Sequence, residues 1–236
     1  MNTEIIFNPE IQHISEIEKW LEEECNLNNN DIYCNINEVY NSFKDNRLII
    51  INEDEYAIGF LEYSIQGYVA TIARAVIKPN RRRKGLGKKF IENCCSYFKN
   101  SGAYVVDLYC SPIESENAWK KFGFLNLPDG VTRETRIFMY KILVPTLPLI
   151  EEQDSIEIIQ LWNDESIIDS DAKPTWTWKI ERFKSSKKLV KPIIHPANYE
   201  WIIRWSKGGE TIEKTKIKKF NQKGVDSGKF LIITEL

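Results

Sequence analysis

The residues best suited to chemistry lie in one basic, glycine-containing segment, residues 75–90, with the sequence AVIKPNRRRKGLGKKF. Gly85 and Gly87 stand where a predicted helix begins, and the first backbone N–H groups of a helix lack partners and lie at the positive end of its dipole. Glycine lets a bulky anion approach that backbone. Six lysines and arginines within residues 81–89 add positive charge. The segment therefore predicts a phosphate-binding site.

Two common phosphate-binding motifs are excluded by their spacing. A Walker A loop ends in Gly-Lys-Ser/Thr, and this segment has no such ending. The dinucleotide-binding fingerprint needs a small third residue, and Phe90 occupies that position. The segment must therefore be a phosphate loop of another class.

The elements that position this loop follow from hydrophobic periodicity. Apolar residues at helical spacing predict a helix from Pro9 to the Asn-rich stretch at 26–36, which we expect to be a loop, and a second helix over 85–99. The nearly continuous apolar run 103–110 is typical of a strand buried on both faces. The other predicted elements are strands at 3–7, 47–52, 56–64, 68–78 and 136–143 and short helices at about 35–44 and 114–122. This order predicts a mixed α/β sheet over residues 1–145.

The loop and its surroundings resemble the GNAT superfamily of acetyl-CoA-dependent N-acetyltransferases. Residues 82–87, Arg-Arg-Lys-Gly-Leu-Gly, are similar to that family's Arg/Gln-x-x-Gly-x-Gly/Ala pyrophosphate loop, and Ile77-Lys78-Pro79 precedes them as is usual there. Residues 115–124, with Lys121-Phe-Gly-Phe124 at their end, are similar to the family's second helix. The resemblance covers about residues 3–143. It implies a mostly antiparallel sheet with flanking helices, acetyl-CoA as cosubstrate, and direct acetyl transfer to a primary amine.

The resemblance also implies which residues bind acetyl-CoA. The main-chain N–H groups from Arg83 to Lys88 would hold the pyrophosphate, and the strand edge at Val76–Lys78 would pair with the pantetheine arm and polarise the thioester carbonyl. Asn117 would contact the CoA arm. The implied set is Val76, Ile77, Lys78, Arg82, Arg83, Lys84, Gly85, Leu86, Gly87, Lys88 and Asn117. The alternative interpretation of the loop is a solvated basic turn at the start of a helix.

Two catalytic features common in the family are absent from this sequence. The strand at 68–78 has no carboxylate, and Trp119 stands where many members have a tyrosine that protonates the leaving thiolate. The remaining candidates are Glu62 as base and Tyr109, Cys110 or Ser111 as acid, with Asp107 able to act through a water. Tyr109 and Cys110 could instead be core residues, and Glu62 could be a solvated residue on an alternating strand. Catalysis mainly by positioning is a further alternative.

Composition narrows the class of protein. With 42% hydrophobic and 28% charged residues, the 236-residue chain can bury a core, which excludes bulk disorder. Five cysteines without a Cys-x-x-Cys spacing favour reduced thiols in a cytoplasmic protein. Two distant histidines argue against a zinc site. The N-terminal stretch is acidic, and no apolar run is long enough to span a bilayer, so we expect neither a signal peptide nor membrane insertion.

The composition changes sharply beyond the proline-containing stretch Leu143–Leu149. Residues 151–172 contain eight acidic residues and no basic one, whereas residues 173–236 contain fifteen Lys/Arg against six Asp/Glu. This shift predicts a boundary near 145–152, with a first domain at 1–147 and an accessory domain at 148–236. We expect the second domain to be mainly β, with a helix at about 153–163.

Three functions remain open at this point. The first is an N-acetyltransferase for an amine-bearing small molecule or peptide. The second is a module that binds acyl-CoA without turnover. The third is an acetyltransferase recruited to nucleic acid or aminoacyl-tRNA by the basic, Trp-rich tail, in which phosphates meet lysines and bases stack on exposed indoles. The tail could instead mediate self-association or another protein contact, or act as a lid or scaffold, and each of these is favoured over nucleic-acid binding because tryptophans in a small β domain are more often its core. The acidic first helix, with Glu16, Glu18, Glu22, Glu23 and Glu24, could attract a cationic amine or be a solvated face.

Overall fold

The computed structural model describes residues 2–28, 35–151, 156–164, 166, 172–220 and 225–236. It divides into two compact units, the first comprising Met1–Asn126 and Ile137–Leu143 and the second Leu127–Arg136 and Val144–Leu236. The chain changes unit close to the expected boundary, and residues 127–136, expected in the first domain, lie in the second unit. The division into domains 1–147 and 148–236 stays a prediction about which parts fold independently.

A seven-stranded sheet forms the centre of the first unit. Its strands are β1 (Thr3–Ile6), β2 (Leu48–Glu53), β3 (Tyr56–Gln66), β4 (Val69–Ile77), β5 (Val105–Tyr109), β6 (Leu125–Asn126) and β7 (Phe138–Ile142). They lie in the order β1-β2-β3-β4-β5-β7-β6. β4 and β5 are parallel, and the other neighbouring pairs are antiparallel. The predicted mixed, mostly antiparallel sheet is confirmed.

Helices cover both faces of this sheet. The described helices are α1 (Ile11–Asn28), α2 (Ile36–Lys44), α3 (Leu86–Asn100) and α4 (Glu116–Lys121). α3 packs on one face through Phe90 and Phe98. On the opposite face, α1 packs through Ile17 and Trp20 and α2 through Val39. The helical spacing in the sequence is therefore the spacing of the buried faces. Of the predicted Asn-rich loop, residues 29–34 lie outside the described residues, and α1 extends to Asn28.

The second unit contains two antiparallel sheets. Their strands are β8 (Glu157–Trp162), β9 (Trp176–Lys179), β10 (Lys188–Pro196), β11 (Ile202–Lys207), β12 (Glu210–Lys216), β13 (Val225–Ser227) and β14 (Phe230–Glu235). One sheet has the order β12-β11-β8-β9 and the other β10-β14-β13. The mainly β expectation for the C-terminal part of the chain is confirmed.

The helix expected at about 153–163 is wrong over residues 157–162, which form strand β8. β8 lies between β11 and β9, and all six of its residues are buried. A strand buried on both faces has no apolar–polar alternation, so its periodicity cannot be distinguished from that of a buried helix. Residues 152–155 lie outside the described part of the chain.

The cysteines follow the expectation of reduced thiols only in part. Cys94, Cys95 and Cys110 are free and buried. Cys25 is disulfide-bonded, which contradicts the expectation that every thiol is reduced. Cys34 lies outside the described residues.

Tryptophans form much of the core of the second unit. Trp162, Trp178 and Trp201 are 1%, 3% and 5% exposed. Trp176 stacks on Trp201 with ring centroids 5.5 Å apart. His195 lies beside this stack, 4.3 Å from Trp176 and 5.5 Å from Trp178 between ring centroids. Its Nε2 is buried and accepts no hydrogen bond from any described residue.

We expect this histidine to make folding depend on pH. Burial lowers the pKa of His195 to about 4 from its ordinary value near 6.5. The unfolded chain therefore takes up a proton that the folded chain refuses, and stability falls as the pH drops from about 6.5 to about 4. At pH 5 the loss is roughly 2 kcal/mol relative to pH 7.5. Urea unfolding at both pH values should show this loss in the wild type and a smaller one in His195→Gln.

The other histidine supplies the control for that experiment. The backbone N–H of Glu10 donates to His13 Nδ1 at 2.9 Å, at the start of α1. His13→Gln should retain the wild-type pH dependence, because His195 is unchanged. An equal reduction in both variants, or none in His195→Gln, would contradict the assignment of the effect to His195.

Candidate functional site

The two central strands of the first sheet diverge and leave a cleft. Val69–Thr71 pairs with Val105–Asp107, but β4 continues to Ile77 and β5 to Tyr109. On its other side, β4 stays paired with β3 as far as the Gly59–Ile77 pair. The β5-facing edge of residues 72–77 therefore has no strand partner within the described part of the chain. It can form main-chain hydrogen bonds with an extended ligand.

A β-bulge explains why the strands diverge. Glu62 pairs with Arg74 and Tyr63 with Ile72, which leaves Ala73 as an extra residue in β4. A bulge bends its strand and increases the local twist. It lies two residues beyond Thr71, the last residue of β4 that pairs with β5. The bulge thus turns β4 away from β5 at the start of the cleft.

The basic loop leads directly from the end of β4 to the start of α3. Gly85 precedes the first residue of α3 and has a left-handed backbone with φ of 78°. A Cβ atom at Gly85 would meet no atom within 4 Å, so conformation and an open surface, rather than packing, favour glycine there. A Cβ at Gly87 would lie 3.6 Å from Phe122 Cζ, an ordinary contact.

Two arginines of the loop are occupied in holding it to the sheet. Arg81 Nε lies 2.7 Å from Glu53 Oε2 in β2, and Arg82 Nε donates to the Ile77 carbonyl at the end of β4 at 2.8 Å. The side chains that remain exposed around the helix start are those of Arg83, Lys84, Lys88 and Lys89. The helix N-terminus and these cations together form a site suited to an anion.

The three acid candidates lie at the end of β5, where they have different environments. Alternation places Tyr109 on the α1/α2 face of the sheet and Cys110 on the α3 face. Tyr109 is 41% exposed, so the interpretation that it is a core residue is wrong, whereas Cys110 is buried. Burial raises the pKa of the Cys110 thiol, and the neighbouring Ser115 hydroxyl offsets this only in part. Ser111 is exposed.

The base candidate Glu62 is held in a buried ion pair. Its side chain is 4% exposed, so the interpretation of a solvated residue is wrong. Arg74 Nε donates to Oε2 at 2.6 Å, and Arg74 Nη2 donates to Oε1 at 3.1 Å. Both carboxylate oxygens of Glu62 thus accept hydrogen bonds from Arg74. To accept a proton, Glu62 would have to break one of these bonds.

Trp119 is a packing residue of α4. Its ring lies edge-on to Phe122 at 5.8 Å and to Phe124 at 5.1 Å between centroids. An indole has no acidic proton to give, so the position provides no general acid. Asn117 lies on the same short helix and is exposed.

Sequence reasoning missed two features of the site, the ion pair of Arg74 and the hydroxyl of Ser115. The sequence does carry a signal for Arg74, because it is the one charged residue in an otherwise uncharged run from Tyr68 to Ile77. Asp107, which the sequence offers as a group able to act through a water, is fully buried and accepts a 2.6 Å hydrogen bond from Thr71 Oγ1 at the last β4–β5 pair. The Ser115 hydroxyl is buried and lies beside the Cys110 thiol. No sequence pattern singles out Ser115.

Two of the acidic side chains of α1 make hydrogen bonds to neighbouring elements of the first unit. Glu16 Oε2 accepts from the Ala57 N–H at 2.8 Å, and Glu18 Oε2 accepts from the Tyr40 hydroxyl at 2.9 Å. These two glutamates join α1 to β3 and to α2. Glu22 and Glu23 are exposed.

The second unit uses several of its basic side chains internally. Arg182 pairs with the buried Glu157. Glu200 accepts from Lys216 and Lys218. Three of the indoles in this unit, those of Trp162, Trp178 and Trp201, are buried, which leaves the half-buried Trp176 and Trp205 as the indoles a base could reach.

The described residues contain neither a metal-binding cluster nor a membrane-spanning helix. No group of three or more His, Cys, Asp or Glu side chains within the described ranges is placed to hold a metal ion. None of the described helices is long and apolar enough to cross a membrane.

Residues 13–124 match the sequence model of the acetyltransferase (GNAT) family. A PaiA N-acetyltransferase from Thermoplasma acidophilum, solved with coenzyme A, is 20% identical, with 60% of this chain and 99% of that chain covered and a TM-score of 0.49. A GNAT-family acetyltransferase from Bacillus cereus is 17% identical, with 61% and 100% covered and a TM-score of 0.47. N-Acetylglutamate synthase from Neisseria gonorrhoeae is 14% identical, with 61% and 36% covered and a TM-score of 0.46. No curated protein sequence matches the chain.

Proposed function

Because residues 13–124 form an acetyltransferase domain of the GNAT family, we propose that the chain transfers the acetyl group of acetyl-CoA directly to a primary amine. The acceptor is an amine-bearing small molecule or peptide. The acetyl-CoA site consists of the loop residues Arg82–Lys88 and the strand edge Val76–Lys78, with Asn117 beside them.

One observation supports this proposal above the others. The free edge of β4 ends where the loop begins, and the loop ends at the N-terminus of α3. An extended arm that pairs with β4 would therefore have its pyrophosphate end close to the helix start. The fit is chemical as well as spatial, since the edge offers amide groups and the helix start offers N–H groups and positive charge.

The acceptor amine would approach the cleft from the face of the sheet opposite α3. α3 and its core cluster cover one face of β4 and β5, so an amine can reach the cleft from the face on which α1 and α2 lie. The carboxylates of Glu38, Glu62 and Asp107 lie on that face, where Arg74 is paired with two of them. This excess of negative groups favours a cationic amine over an anionic acceptor.

Acetyl-CoA supplies an acyl group activated as a thioester. The attacking amine must be neutral, and the departing thiolate needs a proton. The raised pKa of Cys110 keeps its thiol protonated at neutral pH, which is the form that a general acid needs, and also makes that thiol a weaker acid. The roles of Tyr109 and Ser111 as alternative acids stay predictions, whereas the two hydrogen bonds from Arg74 count against the assignment of Glu62 as base.

The test is release of free CoA thiol from acetyl-CoA across a panel of primary amines, with acetyl-CoA binding measured separately by calorimetry. Amine-dependent release would support the acetyltransferase. Binding without release for any amine would favour the alternative of a non-catalytic acyl-CoA module. Absence of binding would contradict both.

The acid role of Cys110 predicts a loss of turnover rather than of binding. Cys110→Ala should lower kcat roughly 100-fold, within the range of general acid catalysis, with little change in acetyl-CoA affinity. An acid acts while protonated, so the wild-type rate should fall as the pH rises through the raised pKa, and the variant should lack this fall. Cys95→Ala removes another buried thiol, from α3, and should keep the wild-type kcat. Equal kcat values in the two variants would rule out the acid role.

A further inference from the structure

Arg74 connects the cleft to the helix on its acceptor side. Its guanidinium is bonded to both oxygens of Glu62, directly opposite on β3. The same guanidinium lies 3.3 Å from Glu38 Oε2 in the first turn of α2. It also donates to the carbonyl of Asn35, the residue that precedes α2, at 3.4 and 3.5 Å. One side chain therefore ties the start of α2 to β4 and β3.

The position of this contact along β4 is specific. Arg74 follows the bulge residue Ala73, where β4 has turned away from β5. Any movement of α2 relative to the cleft would have to break the bonds from Arg74 to Asn35 and Glu38. The Arg74 side chain is 14% exposed and also lies over the Phe60 ring, so packing restricts its rotamers.

Stability alone is a weak explanation for such a pair. Desolvation of two charges offsets most of their attraction, and apolar replacements of buried pairs are often as stable. Bidentate Arg–carboxylate pairs do provide precise geometry, because the planar guanidinium fixes the angle between its partners. The Glu62–Arg74 pair is therefore suited to holding a neighbouring element, here the start of α2, in a defined position.

We propose that Glu62 and Arg74 are positioning residues that hold the start of α2 against the acceptor side of the cleft, and that Glu62 does not act as the general base. This inference rests on the proposed acetyltransferase function for its effect on the acceptor. The pair sets the affinity for the amine, while acetyl-CoA binding depends on the loop and α3. Glu38 forms the outer, exposed part of the same contact.

The variants Glu62→Gln, Arg74→Gln and the double variant test this role. Each single variant should raise KM for the amine about 10-fold, with kcat within roughly threefold of wild type and acetyl-CoA affinity unchanged. The double variant should be no worse than either single variant, because all three break the same contact. Arg47→Gln, which removes an exposed arginine paired with Asp45, is the control and should behave as wild type.

A general base gives a different pattern. Glu62→Gln would then lower kcat by 100-fold or more and remove the acidic limb of the pH–rate profile, while Arg74→Gln would retain that limb. This pattern, or wild-type amine KM values in both single variants, would overturn the proposal.

Hydrogen exchange provides a readout that does not need turnover. In Arg74→Gln the amides of α2 should exchange at least tenfold faster than in wild type, and those of α3 should be unchanged. Unchanged exchange in α2 would overturn the positioning role even if no amine is acetylated. If wild type binds acetyl-CoA without turnover, the proposed function fails, and the exchange rates alone decide whether Arg74 holds α2.

Discussion

Replacement of Gly85 by aspartate is expected to weaken acetyl-CoA binding about 100-fold, corresponding to about 2.7 kcal/mol. Gly85 precedes the first residue of α3, and a side chain there would enter open space beside the unpaired N–H groups of the helix. A carboxylate in that space would repel the pyrophosphate and compete for the same N–H groups. Calorimetric titration of acetyl-CoA into both proteins measures the loss.

Gly102 provides a matched control for this variant. It also has a positive φ, 93°, and a Cβ there would likewise meet no atom within 4 Å, but it follows the C-terminal end of α3. Gly102→Asp introduces the same charge and a similar backbone strain. It should therefore bind acetyl-CoA as wild type does. Equal affinities in the two variants would mean that the pyrophosphate does not lie at the start of α3.

The loop could be predicted from sequence because its chemistry is local. A strand end, a basic run, two glycines and a helix start are consecutive, so their order alone brings them together. The apolar strand before Cys110 was equally clear, because a central strand buried on both faces has a composition of its own. The structure confirms the predicted order of strand end, loop, helix and strand over residues 75–110.

The environment of Glu62 could not be predicted, because it depends on register. Alternation along β3 gives two faces but does not say which residue of β4 lies opposite Glu62. The bulge at Ala73 shifts that pairing by one residue and brings Arg74 next to the carboxylate. The prediction of a helix in place of β8 was wrong for a related reason. The sequence does not show that β8 lies between β9 and β11 and is buried on both faces.

Gly59 is a position where one added methyl group should displace β4, the strand that forms one side of the cleft. It lies in β3, and a Cβ there would be 2.5 Å from the Val76 carbonyl oxygen, 2.7 Å from Ile77 Cδ1 and 2.9 Å from Ile51 Cγ2. A glycine within a strand often marks such a close approach of two backbones. The carbonyl belongs to the β3–β4 ladder, so it cannot move aside without a shift of β4 itself.

Gly59→Ala is therefore expected to reduce the free energy of unfolding by about 3 kcal/mol, the upper end for overpacking. Because the displaced residues Val76 and Ile77 form the proposed binding edge, acetyl-CoA affinity should fall in the same variant. Urea unfolding followed by circular dichroism, together with calorimetry, measures the two effects. Gly228→Ala, where a Cβ meets nothing within 4 Å and no positive φ is required, should remain within about 0.5 kcal/mol of wild type. A large loss of stability with unchanged affinity would show that acetyl-CoA does not use the β4 edge, because that edge cannot stay in place when its carbonyl is displaced.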